Sequence, residues 1–411
     1  MDISRVVIIG ASHAGAQLSA SLRQEGWTGE IILIGDEPYL PYHRPPLSKT
    51  FLAGSKSIED MYIRPKNFYE KNKIQLVNGH VTKIDCKTKI VYLENGNHIS
   101  YDKLVLCTGA RVRKLDINGS HLPGVHYIRN AQDILGLKSS VKWTKRAVIV
   151  GGGYIGLETA ASLRKMGINV TILEYAPKIL QRVAASQIGD FFNQVHTEEG
   201  VEILTNIRIA EIAGTQSVTG IYLENCQFIP TELVIVGIGV LPNIELAEEA
   251  GLKIDNGIVV DEYCYTSDPH ILAVGDCTSH FNEHYKRQIR LESVPNANDQ
   301  AKVAAKNLCG KSQKYQCLPW FWSDQYDIKL QIVGLNNGFD EVILRGDMSS
   351  SRSFALFYFK NNEMIAADCV SRPLEFMLSK KIISEKLEVY KEKLSNENFD
   401  LKESIVSLYV H

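Results

Sequence analysis

Apolar residues come in short unbroken blocks, each closed by glycine. Residues 5 to 9 (RVVII) and 146 to 150 (RAVIV) are β-branched runs too short for a helix, and each runs into a glycine-rich turn, GASHAG (10 to 15) or GGGYIG (151 to 156). That order predicts a buried strand, a tight turn and then a helix. The two stretches align without a gap from residues 5 to 27 and 146 to 168. Gly10, Gly15, Ala20, Ser21, Leu22, Arg23 and Gly26 match Gly151, Gly156, Ala161, Ser162, Leu163, Arg164 and Gly167. The chain therefore carries one strand-turn-helix unit twice.

A second strand follows each copy, IILIGDE (31 to 37) and NVTILE (169 to 174). Residues 73 to 110 and 202 to 239 then alternate apolar with polar, the first with an Asn95-Gly96 turn, which predicts a meander inserted in each fold. YTSDPHILAVGDC (265 to 277) reads as a strand ending in Gly275 and Asp276. ESVPNANDQAKVAAKNL (292 to 308) has a capping start and helical spacing. An α/β chain with two Rossmann-like dinucleotide-binding domains is expected.

A strand, a glycine turn and a helix aim free backbone N–H groups and the helix dipole at a pyrophosphate. Gly151, Gly153 and Gly156 form a full GxGxxG around Tyr154 and Ile155, and Glu174 lies 18 residues after Gly156, where an acid binds ribose hydroxyls. Gly239, closing LVIVGIG, joins that set. A carboxylate at 174 repels a 2′-phosphate and no arginine stands in EYAPK, so NAD is expected rather than NADP. The first copy has Ser12 in place of the second glycine and Gly35 where its twin has the acid; Asp36 is the substitute. Two copies imply two dinucleotides.

Composition narrows the partners. A net charge of −2 over 411 residues provides no global field for nucleic acid or anionic membrane. No apolar run reaches the roughly 18 residues of a spanning helix, and the chain enters a strand at once, so a soluble, cytoplasmic protein is expected. Eight scattered cysteines without a CxxC pair suit buried free thiols in a reducing compartment. Cys277, His280 and His284 lack a fourth ligand, so no metal site is expected. His13 reads as a loop residue.

Residues 37 to 51, EPYLPYHRPPLSKTF, form a proline-rich arm with Lys49 and no cysteine. Together with the glycine turn, LVLCTGA, GGGYIGLE, ILAVGDC, ESVPNANDQAK and PWFWSDQYDIKLQIVGL, this arm resembles the FAD-dependent NADH:ferredoxin reductases of bacterial oxygenase systems, over essentially the whole chain. The resemblance implies a glutathione-reductase-like fold, with an FAD domain in two pieces (1 to 110 and 240 to 320), an NAD domain (111 to 239) and a C-terminal α+β domain (321 to 411). It also implies FAD contacts from Gly10, Ser12, His13, Ala14 and Gly15 at the turn, with Ala14 and Gly15 at the pyrophosphate. Asp36 falls at the adenosine ribose, Val81 near the adenine, and Arg44, Lys49 and Arg129 along the cofactor. Asp276 falls at the ribitol and Val294 at the flavin ring, with Gly275 a further cofactor contact.

On this reading the prolines hold the arm extended and present Lys49 to flavin N5, where a fixed positive charge stabilises arriving electron density. Its partner is Glu158, in the first turn of the second helix. Trp320 and Trp322 resemble an aromatic cap beside flavin and nicotinamide. Disulfide reductases of this fold carry a cysteine pair in the arm; with none here, electrons leave the flavin directly, so NADH reduces FAD and FAD serves a one-electron carrier. The expected carrier is a two-iron ferredoxin, docked on a local basic patch of Lys286, Arg287, Arg290 and Lys302, with the reductase a monomer or weak dimer. Rubredoxin reductase is the alternative enzyme, and an NADH-sensing flavoprotein like apoptosis-inducing factor the alternative of another class.

Overall fold

A computed structural model describes residues 4–406. The chain forms two compact units. One comprises residues up to Arg44 with Ser57–Arg111 and Val240–Pro319; the other comprises Pro45–Lys56, Val112–Gly239 and Trp320 onward.

The first unit is built on a five-stranded parallel sheet in the order Ile271–Ala273, Lys103–Leu106, Arg5–Ile9, Glu30–Gly35, Ile74–Asn78. Parallel strands covered on both faces are apolar throughout, which is why RVVII and IILI do not alternate. Val6, Ile8 and Leu33 pack on one face with Leu18 and Leu22 of the helix His13–Glu25 and Ala301 and Ala304 of the helix Val294–Leu308. Val7, Ile9, Ile32 and Ile34 pack on the other face with Val81, Ile84, Val91 and Leu93 of the meander Val81–Asp85, Ile90–Leu93, His98–Ser100. Gly96, at φ +84°, turns the last hairpin.

The second unit repeats the plan. Its parallel sheet runs Glu202–Leu204, Asn169–Leu173, Arg146–Val150, Leu233–Val236, Val125–Tyr127, and its meander is Ile209–Gly214, Val218–Leu223, Phe228–Pro230. The repeat extends to the register: Ile9 pairs with Ile34 in the first sheet and Val150 with Leu173 in the second. The same unit holds a five-stranded antiparallel sheet, ordered Trp320–Gln325, Ile328–Gly334, Glu363–Val370, Phe354–Lys360, Glu341–Gly346, with the helix Pro373–Glu385 packed on it. Residues Phe354 to Phe359 are all buried. Within this sheet the Tyr358 hydroxyl donates to the buried Asp368 carboxylate at 2.7 Å.

The arm departs from the extended form expected of it. Its prolines end at Pro46, and Leu47–Phe51 then closes into a wide helical turn in which the Pro46 carbonyl accepts from both Lys49 N–H (3.0 Å) and Phe51 N–H (2.9 Å). Proline lacks a donor but keeps its carbonyl, so Pro46 can open a turn that the following residues close. Lys49 itself is kinked out of helical geometry, at φ −125° and ψ −108°.

Among the described residues no helix is long and apolar enough to cross a membrane. All eight cysteines are free. Cys107, Cys264, Cys277 and Cys369 are buried, but Cys226 is exposed, contrary to the expectation of buried thiols.

Candidate functional site

In the first unit the glycine turn is held open by two close backbone approaches. Gly10 lies at φ +113°, and a Cβ there would stand 2.1 Å from the Cys107 carbonyl oxygen; a Cβ on Gly15 would stand 2.0 Å from the Gly10 oxygen. No side chain fits either place. Ser12 needs no such freedom: it caps the helix with φ −118°, and its Oγ accepts from Arg44 Nε at 2.9 Å. Ala14 follows in the first turn, buried. His13 corrects the loop reading, since it begins the helix, is buried and packs its ring 5.5 Å from His43.

Arg44 is anchored as a permanent cation. It donates to Glu37 at 2.5 Å, lies 5.3 Å over the Tyr42 ring, and Tyr42 in turn donates to Glu37. Burial works against its charge, but Tyr42, Glu37 and Asp276 outweigh it and hold the guanidinium pKa above its ordinary value. Asp276 follows Gly275, whose N–H donates to Gln300 Oε1 at 2.7 Å and whose φ is +87°. Val294 is the first residue of its helix, behind Ser293, whose Oγ accepts from Asn296 N–H. The Val81 side chain is buried in the meander core, leaving its backbone as the part that can meet a ligand.

Asp36 is exposed and lies 3.5 Å from His80, a neighbour that sequence spacing does not suggest. A Cβ on Gly35 would fall 2.5 Å from the Ala11 methyl. In the twin fold the sizes are exchanged: Gly152 has no side chain, so Glu174 fits and its Oε2 accepts from Gly152 N–H at 2.6 Å. This exchange explains why the acid moves one residue along in the first copy. The bare backbone at Gly10 and Gly15, the fixed Arg44 cation and Asp276 together fit the pyrophosphate and polyol of FAD.

In the second unit Gly151 (φ +108°) would press a Cβ 2.5 Å from the Gly237 oxygen, and Gly156 one 2.2 Å from the Gly151 oxygen. Gly153 caps the helix Tyr154–Lys165 with open space around its Cα, which leaves room for a ligand. Tyr154 lies 5.0 Å from the Phe321 ring, and Ile155 is exposed. Glu174 accepts a second backbone bond, from Ala176 N–H at 2.7 Å. Gly239 lies at φ +100°, with the Arg182 guanidinium 3.5 Å from where its Cβ would be. Arg129 N–H donates to Asp133 at the start of the helix Ala131–Val141. Although EYAPK contains no arginine, the fold brings one to it. Arg208 lies 4.6 Å over the ring of Tyr175, the residue after Glu174, and donates to its hydroxyl at 2.5 Å.

Lys49 and Glu158 are also brought together in this unit. The Lys49 ammonium is 3.0 Å from Glu158 Oε1 and 3.4 Å from Asp324. Glu158 is buried and is the fifth residue of its helix, so it lies beyond the first turn where it is expected from sequence and does not serve as a dipole-compensating acid. It accepts from Ser48 Oγ at 2.9 Å and from Ser323 Oγ at 2.8 Å. Ser162 donates to the Ser48 carbonyl at 2.7 Å, pinning the arm to the helix. Spacing along the chain does not single out Ser48, Ser323 or Asp324, although they flank Lys49 and Trp322 in the motifs of the arm and of PWFWSD. Trp320 and Trp322, two residues apart on one strand, share a face with ring centroids 5.6 Å apart, and Trp320 also meets Phe376 and Lys380.

The basic patch is less free than its sequence suggests. Arg290 is mostly buried, with 14% of its side chain exposed, and pairs with Glu292. Lys286 pairs with Glu283 at 2.5 Å and Lys302 with Asp299 at 3.1 Å. Alternating signs along these segments neutralise much of the field. Near it, burial lowers the His280 pKa to about 4, and among the described residues no three His, Cys, Asp or Glu side chains are grouped to hold a metal.

Residues 4–301 match the sequence family described as pyridine nucleotide-disulphide oxidoreductase, and residues 320–405 match the reductase C-terminal family. The chain is 43% identical over 385 residues to a ferredoxin–NAD(P)(+) reductase of Sphingomonas sp, covering 93% of each chain. It is 42% identical over 409 residues to putidaredoxin reductase of Pseudomonas putida, covering 98% of this chain and 97% of that one. The reductase in the crystal structure of the covalent putidaredoxin reductase–putidaredoxin complex superposes with a TM-score of 0.94 at 42% identity, over 97% of both chains.

Proposed function

The chain belongs to the pyridine nucleotide-disulphide oxidoreductase family and is an FAD-dependent ferredoxin–NAD(P) reductase, and we propose that its reductant is NADH and its acceptor a two-iron ferredoxin serving an oxygenase. The overall reaction balances as NADH and two oxidised ferredoxins giving NAD⁺, two reduced ferredoxins and one proton. FAD supplies the step between a two-electron hydride donor and a one-electron acceptor.

FAD is assigned to Gly10, Ser12, Ala14, Gly15, Asp36, Arg44, Gly275 and Asp276, with Val81, Arg129 and Val294 as further contacts. NADH is assigned to Gly151, Gly153, Tyr154, Ile155, Gly156, Glu174 and Gly239. Lys49 and Glu158 are the proposed catalytic pair: the carboxylate fixes the ammonium, whose charge favours electron density arriving on the flavin. Trp320 is the proposed aromatic cap. The observation that carries this reading is the ion pair of Lys49 with Glu158 in an arm that contains no cysteine, so the residues present favour the reduced cofactor but offer no dithiol to receive its electrons.

Docking is assigned to Lys302, whose side chain is 54% exposed, rather than to Arg290. A cytoplasmic location follows from the same reading. The test is steady-state reduction of a two-iron ferredoxin by NADH, run against rubredoxin as acceptor and across a salt series. Sustained ferredoxin turnover that declines with salt is expected, because screening acts over a Debye length of ~8 to 10 Å. One turnover followed by a stall identifies a sensor, and faster turnover with rubredoxin overturns the acceptor assignment.

A further inference from the structure

Glu158 ends a longer array than the ion pair. Its Oε1 accepts from Ser323 Oγ at 2.8 Å, and Ser323 Oγ accepts from Gln325 Nε2 at 3.2 Å. Gln325 Oε1 lies 2.8 Å from His196 Nε2, and His196 Nδ1 lies 3.1 Å from the Tyr326 hydroxyl. His196, Ser323 and Gln325 are buried, at 0%, 0% and 1% exposure.

Chemistry permits only one orientation of this chain. A carboxylate only accepts, so Ser323 must donate to it. The Ser323 oxygen then accepts from the amide nitrogen, which turns the amide oxygen toward His196. A carbonyl oxygen cannot donate, so His196 must carry its proton on Nε2, leaving Nδ1 to accept from Tyr326. All donors point toward Glu158. We infer that His196 and Gln325 are positioning residues for the Glu158–Lys49 pair, acting through Ser323 to hold the carboxylate turned toward Lys49. The inference rests on the proposed role of that pair.

Several features support it. Burial holds the His196 pKa down at about 4 against the weaker opposing influences of Gln325 and Glu199, so the ring is neutral at pH 7 and keeps the tautomer the chain requires. A cationic ring would need an acceptor at both nitrogens and would turn the Tyr326 hydroxyl around. The strand Trp320–Gln325 presents Ser323 and Gln325 on one face by its two-residue period, and the helix Ser186–Glu198 brings His196 to that face. Local sequence could not reveal this, because His196 and Gln325 are 129 residues apart.

The direct test needs no variant beyond the one used for assignment. ¹H–¹⁵N correlation spectra of histidine-labelled holoprotein, with the His196 signal identified by its loss in His196→Gln, should show a neutral Nε2–H ring at pH 7 that stays neutral down to pH 5. An Nδ1–H ring, or one protonated by pH 6, overturns the inference. In Gln325→Leu and His196→Leu, single-turnover flavin reduction by NADH should slow by about tenfold, the scale of one lost buried hydrogen bond. The flavin midpoint potential should shift in both, whereas KM for NADH should stay the same. His196→Gln, whose amide can donate to Gln325, should recover most of the rate. Unchanged rate and potential in both Leu variants also overturn it. These readouts stop at the NADH half-reaction, so failure of ferredoxin as acceptor would sink the proposed function and leave them standing.

Discussion

The Glu174 carboxylate accepts the Gly152 backbone N–H at 2.6 Å, locking the acid against the glycine turn of the second dinucleotide fold. Its other oxygen is held by Ala176. Both oxygens are thus fixed by backbone donors, and on the proposed NADH assignment the negative charge of this acid opposes a 2′-phosphate.

Glu174→Ala should therefore weaken NADH binding by ~1 to 3 kcal/mol, the scale of a lost charge-assisted hydrogen bond. It should also raise the NADPH/NADH ratio of kcat/KM, because the acid at 174 is gone while the Arg208 cation, over the ring of the adjacent Tyr175, remains. Adding Arg208→Ala should reverse that gain in NADPH use. Stopped-flow reduction with both nucleotides measures each step; an unmoved ratio assigns specificity to another residue.

Lys49→Met removes the charge and leaves an unbranched apolar side chain one atom shorter. With Glu158 still held by Ser48 and Ser323, FAD should remain bound while the flavin midpoint potential falls. Hydride transfer should slow on the order of 10- to 100-fold, toward the range seen when one preorganised donor is removed. Spectroelectrochemistry and single-turnover kinetics check both effects. An unchanged potential returns Lys49 to a structural part.

Asp368 makes stability depend on pH. Burial lifts its pKa to about 7, against the weaker downward pull of its bond from Tyr358. The folded chain then binds the proton more tightly than the unfolded one, for which the ordinary value is 3.8. This group's contribution is therefore fully present below about pH 4 and is lost as pH rises through about 7. Asp368→Asn keeps an acceptor for Tyr358 and cannot ionise. Its stability relative to the parent should rise by about 4 kcal/mol between pH 4 and pH 8, the free energy that separates a carboxyl titrating at 3.8 from one titrating at about 7. Paired urea titrations at the two pH values measure the difference, and a constant difference refutes the assignment.

Sequence by itself determined the two dinucleotide folds, because strand, turn and helix are set by contacts a few residues apart. RVVII and RAVIV are apolar throughout because both faces of a parallel strand are covered, and Gly10, Gly15, Gly151 and Gly156 are required wherever a Cβ would strike a neighbouring carbonyl. The pairing of Lys49 with Glu158 was legible only through the resemblance, since spacing says nothing of which helix an arm will touch. Tertiary structure decided the rest. It closed the arm into a turn at Pro46, whose carbonyl oxygen uses both lone pairs to accept from Lys49 and Phe51. It set Arg208 over Tyr175 and His196 behind Gln325, pairings that bring distant residues together through packing. It also withdrew Arg290 from solvent onto Glu292. A charge in a sequence is one number, but the field it exerts depends on burial and on the nearest opposite charge, and both are fixed only when the chain has folded.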